Sequence, residues 1–119
     1  MHVFPHVAVV LALTLAQTEC QSSCNGSGMF PPEFGMDYRT PTNIASFWNI
    51  ATWQECAALC AKITAPKQCE YWSWLDFTSP VYAGYCWLKE SNGEYVSSNH
   101  GVSGSKDSYN YAYCLMHGA

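Results

Sequence analysis

The sequence predicts an α+β domain in which one short helix is joined by two disulfides to a β-hairpin. Thr52 has an N-capping side chain, and Glu55, three residues later, completes a capping box. The run that follows, as far as Lys62, is rich in Ala and Leu and contains no Gly or Pro. Cys56 and Cys60 are four positions apart, so both thiols project from one face of this helix.

The hairpin is predicted from two aromatic, strand-like runs that begin at Cys69 and at Cys86. Because the connection from the helix to Cys69 is short, Cys60 is the natural partner of Cys69, which leaves Cys56 for Cys86. The crossed pairing of Cys56 with Cys69 stays open, since four cysteines allow three pairings.

Residues 1–20 have the features of a signal peptide. The apolar run 7–15 is too short to cross a bilayer, which requires about 20 residues. Two cleavage sites satisfy the small-residue rule, one after Ala16 and one after Cys20. No Lys or Arg precedes the apolar run, and a signal anchor is the alternative interpretation. The short run favours secretion to the extracellular space and predicts no membrane span.

Export gives the seven cysteines a structural interpretation, because disulfides persist in an oxidising compartment. The chain contains no C-x-x-C pair, and neither a metal site nor any cofactor is predicted. The odd count needs an explanation. Cleavage after Cys20 leaves six cysteines, whereas cleavage after Ala16 leaves Cys20 or Cys24 unpaired or bonded to another chain.

The composition excludes some partners. The formal net charge is −4 with only five Lys and Arg, which gives no basic face for nucleic acid or for an anionic membrane. Aromatic residues make up 15% of the chain and charged residues 12%. A mature chain of about 100 residues forms one domain with a modest core. We therefore expect some Trp and Tyr side chains at the surface.

The segment 21–32 is rich in Ser, Gly, Asn and Pro, and it is predicted to be flexible ahead of a folded domain over 33–115. Its sequon at Asn25 predicts a glycosylation site. Two short strands are predicted next, at 34–38 and 44–50. Trp48, in the second, is expected to pack near the start of the helix, and exposure as a ligand platform is the alternative.

Alternation along the two cysteine-containing strands assigns their side chains to faces. If Cys69 points at the helix, Trp72 and Trp74 point away from it. Trp87 and Lys89 are likewise predicted on the far face. The three Trp side chains would then form a cross-strand aromatic cluster on the side of the sheet away from the helix.

The loop 76–84 between these strands is long for a hairpin, and such loops often contain the residues that bind a ligand. Tyr82 offers an aromatic ring there, and Asp76 or Asp37 offers a carboxylate acceptor for hydroxyl groups. The candidate ligand-binding residues are Trp48, Trp72, Trp74, Asp76, Tyr82 and Trp87.

The C-terminal part is predicted to contain brief pairing at 95–97, a flexible connector at 103–108 and an edge strand at 109–115. The edge strand would place Tyr109, Tyr111 and Tyr113 on one face. These rings are expected to cover the Trp layer, with stacking on sugars as the alternative.

The helix run with Cys56 and Cys60, the spacing from Cys69 to its Trp pair, and the run that begins at Cys86 together resemble the PAN/apple domain family. The resemblance covers roughly 33–105. It implies an antiparallel sheet that cradles one helix, with nested bridges Cys56–Cys86 and Cys60–Cys69.

Apple-type members of that family add a bridge between the termini, which implies a bond from Cys114 to Cys24 or, alternatively, to Cys20. Members are extracellular modules that bind proteins or carbohydrates. The resemblance therefore implies a secreted module for recognition or adhesion, with a glycan or an extracellular protein as its partner.

Three functional classes follow. The leading one is this secreted binding module, of which an effector or inhibitor is a variant. The second is an extracellular structural or matrix component, linked into a dimer through a spare Cys20 or Cys24. An enzyme is not predicted, because Asp37, Asp76 and Glu94 show no specific spacing.

Overall fold

A computed structural model describes residues 24–118, and in it the chain forms a five-stranded antiparallel sheet with two helices. The strands are β1 (Glu33–Arg39), β2 (Ala45–Phe47), β3 (Tyr71–Leu75), β4 (Cys86–Lys89) and β5 (Glu94–Ser105). The helices are α1 (Trp53–Lys62) and α2 (Ser108–His117). The strand order is β1-β5-β3-β4-β2. The predicted α+β class is confirmed, and the predicted signal peptide and Cys20 lie outside the described residues.

Helix α1 begins where its cap predicts. The Thr52 side chain accepts a hydrogen bond of 3.2 Å from the backbone N–H of Glu55. The Glu55 carboxylate accepts one of 3.3 Å from Ala51, one residue before the N-cap, so the reciprocal half of the capping box is displaced by one position. Cys56 and Cys60 both lie on the buried side of α1.

Three disulfides fasten the helices to the rest of the domain. Cys56–Cys86 joins α1 to β4, with Cα atoms 5.5 Å apart. Cys60–Cys69 joins the last turn of α1 to the segment before β3. Cys24–Cys114 joins the N-terminal segment to α2. These are the pairs that the family resemblance implies, and they use every cysteine between residues 24 and 118.

The core lies between the sheet and α1. Trp72 is opposite Leu88 in the β3–β4 ladder, and Trp74 is opposite Cys86. Opposed side chains share a face, so all four point toward α1. Trp72 and Leu88 are fully buried. Trp53 of α1 stacks on Trp72, with ring planes 3° apart and centroids separated by 6.0 Å.

This core overturns the predicted far-face cluster. Trp72 and Trp74 have exposed fractions of 0% and 7% and lie on the helix side of the sheet. The alternation of side chains does not run continuously from Cys69, because Cys69 precedes β3 and is not part of its pleat. Trp87 and Lys89 do lie on the far face, because Trp87 is opposite Ser73 and Lys89 is opposite Tyr71.

Strand β5 corrects a second prediction. The chain from Glu94 to Ser105 is one 12-residue strand between β1 and β3, and residues 103–105 belong to it instead of to a flexible connector. Its glycines reflect close packing. A Cβ atom on Gly104 would lie 2.9 Å from the Trp72 ring.

Helix α2 replaces the predicted edge strand at 109–115. Tyr109 and Tyr113 are one helical turn apart and contact each other, with ring centroids 6.1 Å apart. Tyr111 points elsewhere and stacks on Trp53 at 6.5 Å. The three tyrosines therefore do not share one face. Of the two helices in residues 24–118, neither is long and apolar enough to cross a membrane.

Candidate ligand-binding cleft

The second half of β1 lies across the far face of the sheet. The register jumps from the pair Phe34–Val102 to the pair Met36–Ser97, so the intervening part of β5 leaves the ladder. The backbone N–H of Tyr38 then lies 3.0 Å from the hydroxyl oxygen of Ser73, on the face of β3 away from α1. This contact places β1 above β3 and not only beside β5.

A cleft of about 340 Å³ opens beside this part of β1, a volume at the low end of the range for small-molecule sites. Three parts of the chain line it, and each contributes side chains of a different kind. Strand β1 and the turn after it contribute polar groups, β3 and β4 contribute the sheet surface, and the loop before β4 contributes exposed side chains. The charged, amide and aromatic residues that line it are Asp37, Arg39, Asn43, Tyr82, Trp87 and Lys89.

The two aromatic rings of the cleft, Tyr82 and Trp87, belong to a cluster of three that also includes Tyr85. The half-buried ring of Trp87 meets Tyr82 edge to face, with centroids 5.8 Å apart. It also contacts Tyr85 at 5.5 Å. Tyr82 is 59% exposed and has a φ of 54°, a left-handed conformation uncommon outside glycine. Its contacts with Tyr85 and Trp87 hold the Tyr82 ring in this position.

The polar part of the cleft contains two cations and one anion. The ammonium of Lys89, a residue only 3% exposed, donates a hydrogen bond of 2.7 Å to the side-chain oxygen of Asn43. It lies 6.0 Å from the centroid of the Trp87 ring. Asp37 accepts a hydrogen bond of 3.0 Å from Nε of Arg39. Burial lowers the pKa of Lys89 below its usual value, and the negative charge of Asp37 opposes that effect.

The cleft unites only some of the predicted site residues. Trp87 and Tyr82 lie together in it, and so does Asp37, a predicted acceptor. Trp72 and Trp74 belong to the core. The predicted packing of Trp48 near the start of α1 is not observed, because its side chain is 69% exposed, and it does not line this cleft.

Asp76 lies at the start of the loop and anchors it. Its carboxylate accepts hydrogen bonds from the Thr78 hydroxyl at 2.5 Å and from the Thr78 backbone N–H at 2.9 Å. Both Asp76 and Thr78 contact the same ring nitrogen of His100. These contacts tie the start of the loop to β5, which contains His100. The hydrogen bond from the Thr78 hydroxyl is the main reason that the pKa of Asp76 is lowered.

Sequence reasoning missed Arg39, Asn43 and Lys89 as site residues. The alternation that places Trp87 on the far face also places Lys89 there, and this signal was available in the sequence. Arg39 and Asn43 reach the cleft only because β1 crosses the sheet, and no local pattern indicates that crossing.

Within residues 24–118, no group of three or more His, Cys, Asp or Glu side chains is arranged to hold a metal ion. No protein-family model matches this chain, and no curated protein matches it in sequence. The resemblance to PAN/apple domains therefore stays a prediction.

Proposed function

We propose that this protein is a secreted binding module that recognises carbohydrate in the cleft between β1 and the loop before β4. The observation that carries the proposal is the position of Trp87, whose ring lies in one small cleft with the side chains of Asp37, Asn43 and Lys89. An aromatic surface beside several polar groups is the arrangement that a sugar requires.

The chemistry of a sugar ring matches both parts of this cleft. One face of many pyranoses presents C–H groups, which pack well on the electron-rich face of an indole. The hydroxyl groups both donate and accept hydrogen bonds. Asp37 supplies a carboxylate acceptor, Asn43 supplies an amide with both functions, and Arg39 supplies donors.

The cleft is held in place before a ligand arrives. Cys86, next to Trp87, is bonded to Cys56 of α1, and the anchor at Asp76 fixes the start of the loop that carries Tyr82. A rigid site loses less conformational entropy on binding, and this favours recognition by few contacts.

Secretion is supported by three disulfides in a small domain, since such bonds are typical of oxidising compartments. Asn25 is exposed, and this is compatible with a glycan at its sequon. The resemblance to PAN/apple modules supports an extracellular binding role as well.

A second candidate function is that of a covalently linked extracellular component. Every cysteine between 24 and 118 is paired within the chain, so a mature protein that retains Cys20 carries one further thiol. A dimer on a non-reducing gel that is lost in Cys20→Ser supports this function. A monomer in which Cys20 is present and reduced contradicts it.

Glycan-array binding by the oxidised, mature protein tests the main proposal. We expect binding to a defined set of sugars, and we expect Trp87→Ala and Tyr82→Ala each to abolish it. Trp48→Ala is the matched control, because Trp48 is exposed but lies outside the cleft. Circular dichroism checks that each variant is folded. Failure to bind any sugar, together with specific capture of one extracellular protein, would replace carbohydrate with protein as the partner.

A further inference from the structure

Lys89 is a buried cation with few partners. An ammonium group has three N–H donors, and buried charges in proteins are normally paired. Lys89 is only 3% exposed, yet the hydrogen bond to Asn43 is the only one that its ammonium makes with residues 24–118. No carboxylate in that part of the chain lies within 4.0 Å of it. Two of its three donors therefore have no hydrogen-bond partner among residues 24–118, and Lys89 lines the cleft.

Asp37 is not the missing partner. Its side chain, 13% exposed, is within electrostatic range of Lys89, but its Oδ2 atom pairs with Arg39 at 3.0 Å. The guanidinium of Arg39 retains further N–H groups beyond Nε, and its side chain is 63% exposed. Lys89 and Arg39 thus leave one positive charge in the cleft that Asp37 does not balance.

This local excess of positive charge contrasts with the charge of the whole chain, which has five Lys and Arg against nine Asp and Glu. The surrounding negative charge disfavours a ligand with many anionic groups. One planar carboxylate suits the site better, because its two oxygen atoms can accept from the Lys89 ammonium and from the fork of a guanidinium.

We infer that the sugar bound by this protein carries a carboxylate, as uronic and sialic acids do, and that this carboxylate binds between Lys89 and Arg39. The inference rests on the proposed carbohydrate function and specifies the class of sugar. The Lys89 nitrogen lies 6.0 Å from the centroid of Trp87. A ring stacked on that indole can therefore direct its acidic substituent toward the ammonium.

Calorimetric titration with paired sugars tests the inference. The probes are the methyl glycosides of glucuronic acid and of N-acetylneuraminic acid, each compared with its own methyl ester, which has similar size and no charge. We expect at least one acid to bind roughly tenfold or more tightly than its ester, because only the acid offers a charged acceptor to the ammonium and the guanidinium. Added salt should reduce that ratio.

The variant Lys89→Gln should bring the affinities of acid and ester together. Lys67→Gln is the matched control, since Lys67 is an exposed lysine paired with Glu90 outside this cleft. The ratio measured on the unaltered protein decides the question even if Lys89→Gln fails to fold.

The outcomes separate the two proposals. Equal binding of acid and ester, abolished by Trp87→Ala, overturns the carboxylate and leaves the carbohydrate function standing. A preference for acid that survives in folded Lys89→Gln also overturns the assignment to Lys89. Absence of binding to both acids, both esters and the glycan array overturns both proposals.

Discussion

The hydroxyl oxygens of Ser73 and Ser103 lie 2.7 Å apart on the neighbouring strands β3 and β5, and both are buried beneath β1. The backbone N–H of Tyr38 lies within hydrogen-bond distance of each oxygen, at 3.0 Å and 3.2 Å. The Ser103 hydroxyl also reaches the carbonyl oxygen of Met36 at 2.8 Å. Two small polar side chains thereby hold the strand that brings Asp37 to the cleft.

We expect the double variant Ser73→Ala, Ser103→Ala to be destabilised by about 1–3 kcal/mol for each backbone group left unsatisfied. It should also bind sugar more weakly, because Asp37 and Arg39 lose their fixed position. Urea unfolding measures the first effect and titration the second. Ser46→Ala, at an exposed position of β2, is the control. An unchanged free energy of unfolding in the double variant would show that β1 is held by other contacts.

The three disulfides should differ in their contribution to stability. In the chain-entropy model, the sequence separations of 90, 30 and 9 residues correspond to about 4.6, 3.6 and 2.6 kcal/mol. We therefore expect the paired Cys→Ala variants to rank in that order, with removal of Cys24–Cys114 the most costly. Urea unfolding of the three variants gives the ranking. If loss of Cys60–Cys69 were the most damaging, native-state packing and not loop closure would dominate.

Gly93 supports the β1 side of the cleft. Its φ is 58°, and a Cβ atom there would lie 2.1 Å from the carbonyl oxygen of Arg39. We expect Gly93→Ala to cost more than about 1 kcal/mol, because the left-handed conformation and the clash both oppose it. Gly28→Ala is the matched control, since Gly28 has a φ of 81° but no atom within 4 Å of the added Cβ. Equal thermal stability of the two variants would contradict a role for the clash.

Lys89 should reduce the stability of the unliganded protein at neutral pH. Because burial lowers its pKa in the folded state, the unfolded state binds the proton more tightly. The contribution of Lys89 to stability should therefore rise with pH between its folded pKa and its usual value of 10.5. We expect Lys89→Met to be more stable than the unaltered protein at pH 7, and the difference to shrink as the pH approaches 10.5.

Unfolding of both proteins at several pH values measures this difference, in which the titration of shared tyrosines largely cancels. Asp37 and Arg39 are the charged neighbours in the cleft and are present in both proteins. A Lys89→Met variant that is less stable at every pH would mean that the ammonium has adequate partners without a ligand.

Local chemistry predicted the parts of the fold that depend on few residues. The N-cap at Thr52 and the spacing of Cys56 and Cys60 define α1, and no distant contact alters them. The predicted face for Trp72 was wrong because the assignment depends on where β3 begins. The predicted extent of β5 was too short because Gly104 has low strand propensity on its own. A glycine is required there by the Trp72 ring and the Ser108 hydroxyl packed against it.

The cleft was predictable only in part for the same reason. Trp87 and Tyr82 lie near each other in sequence, and their aromatic character marks them. Arg39 and Asn43 join them through a strand crossing held by Ser73, which is 35 residues from its partner Tyr38. Contacts of that range leave no periodic signal in the sequence.

The bond between Cys24 and Cys114 has a mechanical consequence. The two Cα atoms are 5.9 Å apart, so the chain enters and leaves the domain at one point. A pulling force applied to the flanking segments passes through the sulfur atoms and bypasses the strands. The chain between them, with a sequence separation of 90 and a length of about 300 Å when extended, bears no load until that bond is reduced. Under tension, the domain should therefore keep a constant length as long as this disulfide is intact.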